Sequence, residues 1–445
     1  MNISLFLFFF TALATLYFIL GIRASRKVKT ASDYYLAGRS LGVMQVTCNL
    51  IATQLGGGLL LGTAATAYSI GFYGIFYTLG MSIGFLLLAT GIASRLQQFK
   101  VTTTAQLFET QYQSAALKKI ASLLSIITFF GILVAQVIGT KSLIAGLGFE
   151  TFWLIIPFWL SVIGYTMIGG LRAITINDMI QLALITVIFG GIFVYSIFAN
   201  PGLFTQMINN QPILFANQPT QTSLLSIILM PALFSLFQQD LAQRFFASRS
   251  QKVATVSALY AGIFLILFAC IPVYFGMATK LLGFDSANGN PLIIFLDNTI
   301  SGSIVALALC AIVAAIISTA DALLNGISAN ITQDFNIILP GFSGLATSKI
   351  TTLLIGLAAL GASYVVPQDI IGMIINSYEL SVSCLLISLL VCYFKKDVKK
   401  QAAYLSIVAG FVTFIILNIY PTAFPRELIC LIVSAIGYVI GSVKK

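Results

Sequence analysis

The nine residues 54–62, QLGGGLLLG, lie inside an apolar run long enough to cross a bilayer, yet three adjacent glycines are among the weakest helix formers. A spanning segment keeps its backbone groups paired most cheaply inside one unbroken helix, so a weak point at the centre of a crossing needs a reason. The run is one of many. Apolar segments of roughly 17–25 residues, the length that crosses a hydrocarbon core about 30 Å thick, fall near 3–22, 41–66, 70–94, 120–146, 151–168, 176–198, 223–247, 253–279, 302–333, 350–366, 368–393, 402–420 and 426–443, thirteen in all.

Composition agrees. With 59% hydrophobic and 8% charged residues in 445, the chain has more apolar surface than a soluble core of that length can bury. The expected fold is an all-α polytopic membrane protein forming a single transmembrane domain, 1–445. Polar stretches near 95–119, 199–222 and 334–349 are too short for an independent core. The segment 199–222, uncharged and holding Pro201, Asn209, Asn210 and Pro212, reads as a covering loop.

The first span could pass for a signal peptide, but residues 1–20 lack a basic leading region, and the charges follow the span in RASRKVK (23–29). An uncleaved helix with its N-terminus outside and the C-terminus of the chain in the cytoplasm fits better. Alternating from there, inside loops hold Arg23, Arg26, Lys27, Lys29, Arg39, Arg95, Lys100, Lys118, Lys119, Arg172, Arg244, Arg249, Lys252, Lys349, Lys395, Lys396, Lys399, Lys400, Lys444 and Lys445. That is 20 of the 23 lysines and arginines, and Lys141, Lys280 and Arg426 are left elsewhere. The net charge of +10 is therefore a topology signal and argues for no nucleic-acid partner. The six cysteines (Cys48, Cys270, Cys310, Cys384, Cys392 and Cys430) lie in apolar segments without a CxxC pair and read as small core residues. With no histidine in the chain, a histidine-based triad, proton relay or metal site is excluded.

Transporters built from inverted repeats carry interrupted helices at matching positions of their two halves, where freed backbone groups bind substrate or ions. QLGGG interrupts the second span. Pro231, in LMPALFSLFQQD (229–240), interrupts the seventh by removing a helical donor. Two five-helix repeats of opposite topology follow, 41–198 and 223–393, with an extra helix and cytoplasmic loop at 1–40 and two C-terminal helices at 402–445. The glycines taken alone have a plainer reading, close helix packing through Gly58 and Gly62.

A helix broken at the midplane leaves carbonyls unpaired, tolerable in lipid only where protein, water or an ion meets them. The ninth span offers partners in AAIISTADALL (314–324), where Ala315, Ser318 and Thr319 stand at i, i+3 and i+4 on one helix face. Neutral oxygens of this kind suit sodium better than a divalent ion. Serine and threonine in membrane helices also commonly bond their own i−4 carbonyls. Ionisable residues within spans are costly and so point to function. Asp178 opens the sixth span, Asp321 lies three residues beyond Ser318, and Glu379 is near the middle of the eleventh. Their structural alternatives are a first-turn acid, a partner for a loop arginine and an interhelical hydrogen bond, while Lys141, near an outer end, reads as snorkelling.

Residues 165–181, YTMIGGLRAITINDMIQ, resemble the signature of the sodium/solute symporter family, with Gly-Gly-Leu-x-Ala followed by Asp-x-x-Gln. STAD (318–321), DYYLAGRSLG (33–42) and QRFFASRS (243–250) are similar to further motifs of that family, and the likeness spans about residues 30–395. The resemblance implies a LeuT-like fold with a 5+5 inverted repeat and alternating access driven by Na+. Position by position, the family's common sodium site would fall on the carbonyls of Ala52, Leu55 and Ala315 and the hydroxyls of Ser318 and Thr319. Some members have a second site with an aspartate at the position of Asp178; here Asp321 adds a charge and Ala322 lacks a hydroxyl, so that site is expected to be altered or absent.

The stretch 52–68 looks most like the choline-transporter branch, which also has three glycines and an acid at the position of Glu379. That branch places tryptophans, part of a cage for a quaternary ammonium, where this chain has Gln54 and Gln238. The two tryptophans here, Trp153 and Trp159, both fall in the fifth span, away from the family's pocket. The expected substrate is a small polar solute, amino-acid-like, amine or zwitterion. Gln54, Gly56, Gly57, Gly58, Gln136, Gln238, Glu379 and Tyr73 are its candidate contacts. The expected function is sodium-coupled import across the inner or plasma membrane by a protein that works as a monomer. Rivals are a proton-coupled transporter using Asp178, Asp321 or Glu379, and a membrane solute sensor. Without histidine or a nucleophile–base pair, an enzyme is disfavoured.

Overall fold

The computed structural model describes residues 3–146, 151–214, 221–286, 289–366, 370–420, 422 and 424–443. The helices of the bundle are α1 (Ile3–Ser25), α2 (Val43–Gln54), α3 (Thr63–Ile70), α4 (Phe76–Leu87), α5 (Ala115–Gly146), α6 (Thr151–Ala199), α7 (Gln221–Ser235), α8 (Gln239–Ala247), α9 (Gln251–Leu281), α10 (Gly302–Ala329), α11 (Gly344–Ala362), α12 (Ile370–Phe394), α13 (Lys400–Ile419) and α14 (Arg426–Val443). Eleven helical stretches among the described residues are long and apolar enough to cross a bilayer. Two of them exceed one crossing: Gly58–Gln98, of 41 residues, completes the second expected span and holds the third, and Ile155–Ala199, of 45, holds the fifth and sixth. They turn at Gly71 (φ 67°) and Gly170 (φ 55°), where a side chain would be strained.

Enclosure orders these helices. Eighty-three per cent of the apolar window of α10 is buried and only 17% of that of α1. Accordingly α10 lies at the centre, against α2, α5 and α6, while α1 lies at the lipid-facing rim along α6. The pair α13 and α14 packs on α12. Its apolar residues Val408, Ile416 and Val439 stay exposed, as lipid contact allows.

Both interruptions are present, and the second is displaced from where proline put it. Helix α2 stops at Gln54: Leu55 takes φ −76° and ψ 34°, and helix resumes through a widened turn over Gly58–Gly62. Helix α7 instead runs through Pro231 to Ser235, and the chain unwinds at 236–238, where Gln238 leaves the helical region (φ −50°, ψ 124°). Proline withholds a donor from the carbonyl one turn earlier but does not stop the turn that follows it. The Ser235 hydroxyl donates to the Pro231 carbonyl at 2.7 Å, and unwinding waits for Gln238.

The expected covering loop is corrected too, since Pro201–Leu214 form a helix packed on α6 and α9, with proline at its first position; 215–220 lie outside the described residues. Arg39 gathers the basic loops. Its guanidinium donates to the carbonyls of Lys100 (2.6 Å), Val101 (3.1 Å) and Phe246 (3.1 Å), so three loops carrying lysines and arginines meet at one end of the bundle.

At Gly170 (φ 55°, ψ −151°) the backbone occupies a region essentially closed to other residues, and a Cβ there would strike the Tyr34 carbonyl. Gly170→Ala is expected to lose about 1–3 kcal/mol, seen as a lower melting temperature in detergent. Gly190→Ala, at a helical glycine with open space around it, should leave the transition unchanged or slightly raised; equal losses in both would refute the assignment.

Candidate functional site

The last turn of α2 faces Ala315, Ser318 and Thr319 on α10. Ser318 Oγ lies 2.8 Å from the Ala52 carbonyl and 2.9 Å from that of Ala315, and Thr319 Oγ1 lies 2.8 Å from the Thr53 carbonyl and 3.5 Å from that of Ala315. Each hydroxyl has one hydrogen to give and lone pairs to spare. Three carbonyls and two hydroxyls therefore converge, all neutral oxygens, the donor set a monovalent cation accepts. Leu55, fully buried, is the residue at which α2 ends. The residue opposite Thr319 is Thr53, which the sequence reading passed over; its place one step beyond Ala52 on the same last turn was the available signal.

Glycine makes the approach. A Cβ on Gly56 would fall onto the Thr319 hydroxyl, so the end of α2 can lie this close to α10 only without a side chain there. The freed Gly57 N–H donates to Gln136 Oε1 at 3.1 Å, and a Cβ on Gly58 would meet Ile374 at 2.9 Å.

Beside this contact lies a small cavity of about 20 Å³, room for little more than one water, so its walls are closed together in this structure. Its polar wall includes Gln54, Gln136, Gln238, Asp240 and the phenols of Tyr77 and Tyr378. Gln54 Nε2 donates to Gln238 Oε1 at 3.2 Å, and Gln238 Nε2 donates to Asp240 Oδ2 at 3.0 Å. The two tyrosines meet at 3.3 Å, and the ring of Tyr378 stacks on Phe234 with centroids 4.4 Å apart. Among the described residues no tryptophan lines the wall; Trp159 is buried against Phe158 in α6.

Two expected substrate contacts point elsewhere. Glu379 is buried but turned to α14, where its Oε2 lies 2.8 Å from Arg426 Nη2. Arg426 also donates to Asn376 (2.7 Å) and Asn418 (2.9 Å). Successive residues of a helix point about 100° apart, so the neighbour, Tyr378, faces the cavity. Tyr73 is half-buried in edge contact with Phe76 at 5.7 Å and does not line the cavity. The tight turn Gly71–Ile75 resets the register, and Tyr77 lines the cavity in its place.

Asp178 on α6 and Asp321 on α10 come together in a second, fully buried cluster. Asp321 accepts from the Tyr165 hydroxyl on one oxygen, while its other oxygen and both oxygens of Asp178 have no hydrogen-bond partner. The two acids feel each other's charge and that of Arg244. Arg244 donates to Asn49 Oδ1 and to the Asp240 carbonyl, each at 2.6 Å, and its Nη2 is unpartnered. Asn49 passes the network on to Thr175 at 2.8 Å. Sequence spacing could not find Arg244 here, because nothing in its loop motif says which helix it reaches.

The profile of the sodium:solute symporter family matches residues 34–410. Among curated proteins, the uncharacterized symporter YwcA of Bacillus subtilis (strain 168) is 26% identical over 307 residues, 64% of this chain and 58% of its own length, so the chain matches less than two thirds of that relative. Among solved structures, a Na+-coupled sialic acid symporter in a substrate-bound outward-open state superposes with a TM-score of 0.83 at 18% identity, covering 99% of this chain and 98% of its own. Mhp1, a nucleobase-cation-symport-1 family transporter in a closed conformation with bromovinylhydantoin bound, follows at 0.64 and 13%, covering 93% and 95%. MhsT in complex with L-phenylalanine gives 0.60 and 16%, covering 91% and 98%. At such identities these likenesses speak to the fold: all-helical, membrane-spanning and LeuT-like.

The Glu379–Arg426 pair gives a test of the site's boundary. Arg426→Met strands a buried carboxylate and is expected to cost about 1–3 kcal/mol, read by thermal unfolding, whereas Glu379→Met with Arg426→Met recovers most of that loss. A double variant no better than the single one would count against the pairing.

Proposed function

This chain belongs to the sodium:solute symporter family, and from that premise we propose that it imports a small polar organic solute by coupling it to an inward sodium gradient. It is a multi-pass membrane transporter and not an enzyme. The carrying observation is the meeting of the Ser318 and Thr319 hydroxyls with the carbonyls that end α2, each 2.8 Å away. Sodium would sit among Ala52, Leu55, Ala315, Ser318 and Thr319, with Thr53 alongside, and so join the broken helix α2 to the central α10. The solute would contact Gln54, Gln136, Gln238, the backbone of Gly56–Gly58, Tyr77 and Tyr378. A wall of amides and phenols supports an amino-acid-like, amine or zwitterionic solute. Asp240, held by Gln238 and the Leu241 N–H (2.9 Å), supplies the acid that Glu379 does not.

Coupling then follows from linkage. A site that binds ion and solute together better than either alone ties their gradients, and an inward-negative potential adds about 2.3 kcal/mol per charge per 100 mV. The protein would work as a monomer in the cell membrane, with the N-terminus outside and the C-terminus in the cytoplasm.

A second reading keeps the fold and gives the coupling, or a second cation, to Asp178 and Asp321. The unpartnered carboxylate oxygens of this buried pair favour it. In proteoliposomes, proton-coupled uptake would persist without sodium and carry a proton current lost in Asp178→Asn.

Ser318→Ala and Thr319→Ala are each expected to raise the sodium concentration for half-maximal uptake by about 10-fold or more, as loss of a ligand to a charged partner implies. Sodium should raise the melting temperature of the unaltered protein relative to potassium or N-methylglucamine, and not that of Thr319→Ala. Unchanged sodium dependence in both variants would remove the site assignment. A panel of amino acids, amines, sugars and carboxylates, scored for a further sodium-dependent shift, identifies the solute class.

A further inference from the structure

A cleft of about 380 Å³ opens between the end of α1, the segment 37–45 and the second half of α6. Arg23, Lys27 and Arg172 line it, and among the described residues no acidic one does. The Nε of Arg172 is buried without a hydrogen-bond partner. Asp33 is the acid whose charge Arg172 feels, but its Oδ2 is already taken by the N–H groups of Lys29 (3.2 Å) and Thr30 (3.1 Å) and by the Thr30 hydroxyl (3.0 Å). Three cations thus face one recess, whose lining carries a net positive charge.

The cleft's position says what could fill it. Arg23 falls at the end of the span Ser4–Ser25, at the level where hydrocarbon gives way to headgroups, and α1 is the least enclosed of the spanning helices. Ile176 lines the cleft at 37% exposed, and Ile22 and Met44, next in sequence to Arg23 and Gln45, are 41% and 67% exposed. Cations in a recess with apolar residues on its open side match an amphiphile whose head is anionic. Guanidinium groups bind phosphate oxygens in a fork, and basic pockets between spanning helices bind acidic lipid headgroups.

We propose that this cleft binds the phosphate of an anionic phospholipid, with the acyl chains lying along the exposed faces of α1 and α6. Lipid bound there would brace α1 and the loop before α2 against α6.

The test is the melting temperature of the whole protein in a neutral detergent with added dioleoylphosphatidylglycerol, dioleoylphosphatidylcholine, or sodium phosphate, all at matched sodium concentration and ionic strength. Phosphatidylglycerol is expected to raise it by about 2–4 °C over phosphatidylcholine. The double variant Arg23→Gln/Lys27→Gln, at exposed side chains, should lose more than half of that rise. Lys395→Gln/Lys396→Gln, which removes two exposed charges elsewhere, should keep it. Native mass spectrometry should show correspondingly less retained phosphatidylglycerol in the first variant only. Equal behaviour of the two double variants would reduce the effect to diffuse charge and overturn the site. An equal rise with sodium phosphate alone would assign the cleft to a soluble anion and overturn the lipid.

Discussion

A helix that stops inside a membrane leaves carbonyls with neither a next turn nor water to meet them, and each orphan costs several kcal/mol in hydrocarbon. In this protein the Ser318 and Thr319 hydroxyls meet two of them, at Ala52 and Thr53. The rest of the architecture serves that contact. Helix α10 lies at the centre, with 83% of its apolar window buried, and presents both hydroxyls to the end of α2. The residue after Leu55 must be glycine, because a Cβ on Gly56 would occupy the place of the Thr319 hydroxyl. The breaking of α2 and the burial of α10 are one constraint seen from two elements.

The second break answers the first through side chains. Gln54 and Asn49, five residues apart on α2, reach α8 at two places: Gln54 bonds Gln238 at the break, and Asn49 accepts from Arg244 two turns further along. Asp240 closes the circuit, holding Gln238 with its carboxylate and Arg244 with its carbonyl. These bonds tie the two interrupted helices to each other at two points. Any movement that opens the cavity to one side must therefore occur between this pair and the helices around it, or must break charged, buried hydrogen bonds.

The cavity's polar wall is built of amides, phenols and one acid. Carboxamides and phenols both donate and accept, and so match solutes that do the same. The acid that looks from sequence as though it should meet a cationic solute is instead spent on Arg426, where it braces α12 against α14.

Apolar run length and the distribution of lysine and arginine determined, from sequence alone, that the chain crosses a membrane many times, because burial of backbone in lipid leaves little choice of structure. Glycine and proline marked the interrupted helices, since backbone freedom and a missing donor are properties of single residues, and the i, i+3, i+4 spacing of Ala315, Ser318 and Thr319 fixed which oxygens share a face. What lay beyond the sequence was direction. Whether Glu379 or Tyr378 looks into the cavity, whether Tyr73 or Tyr77 does, and that unwinding falls at Gln238 and not at Pro231, all depend on rotations of tens of degrees about helix axes. Those rotations are set by packing between elements far apart in the chain, as when Arg244 finds Asn49. Local propensity carries no information about them, and only the tertiary structure decided them.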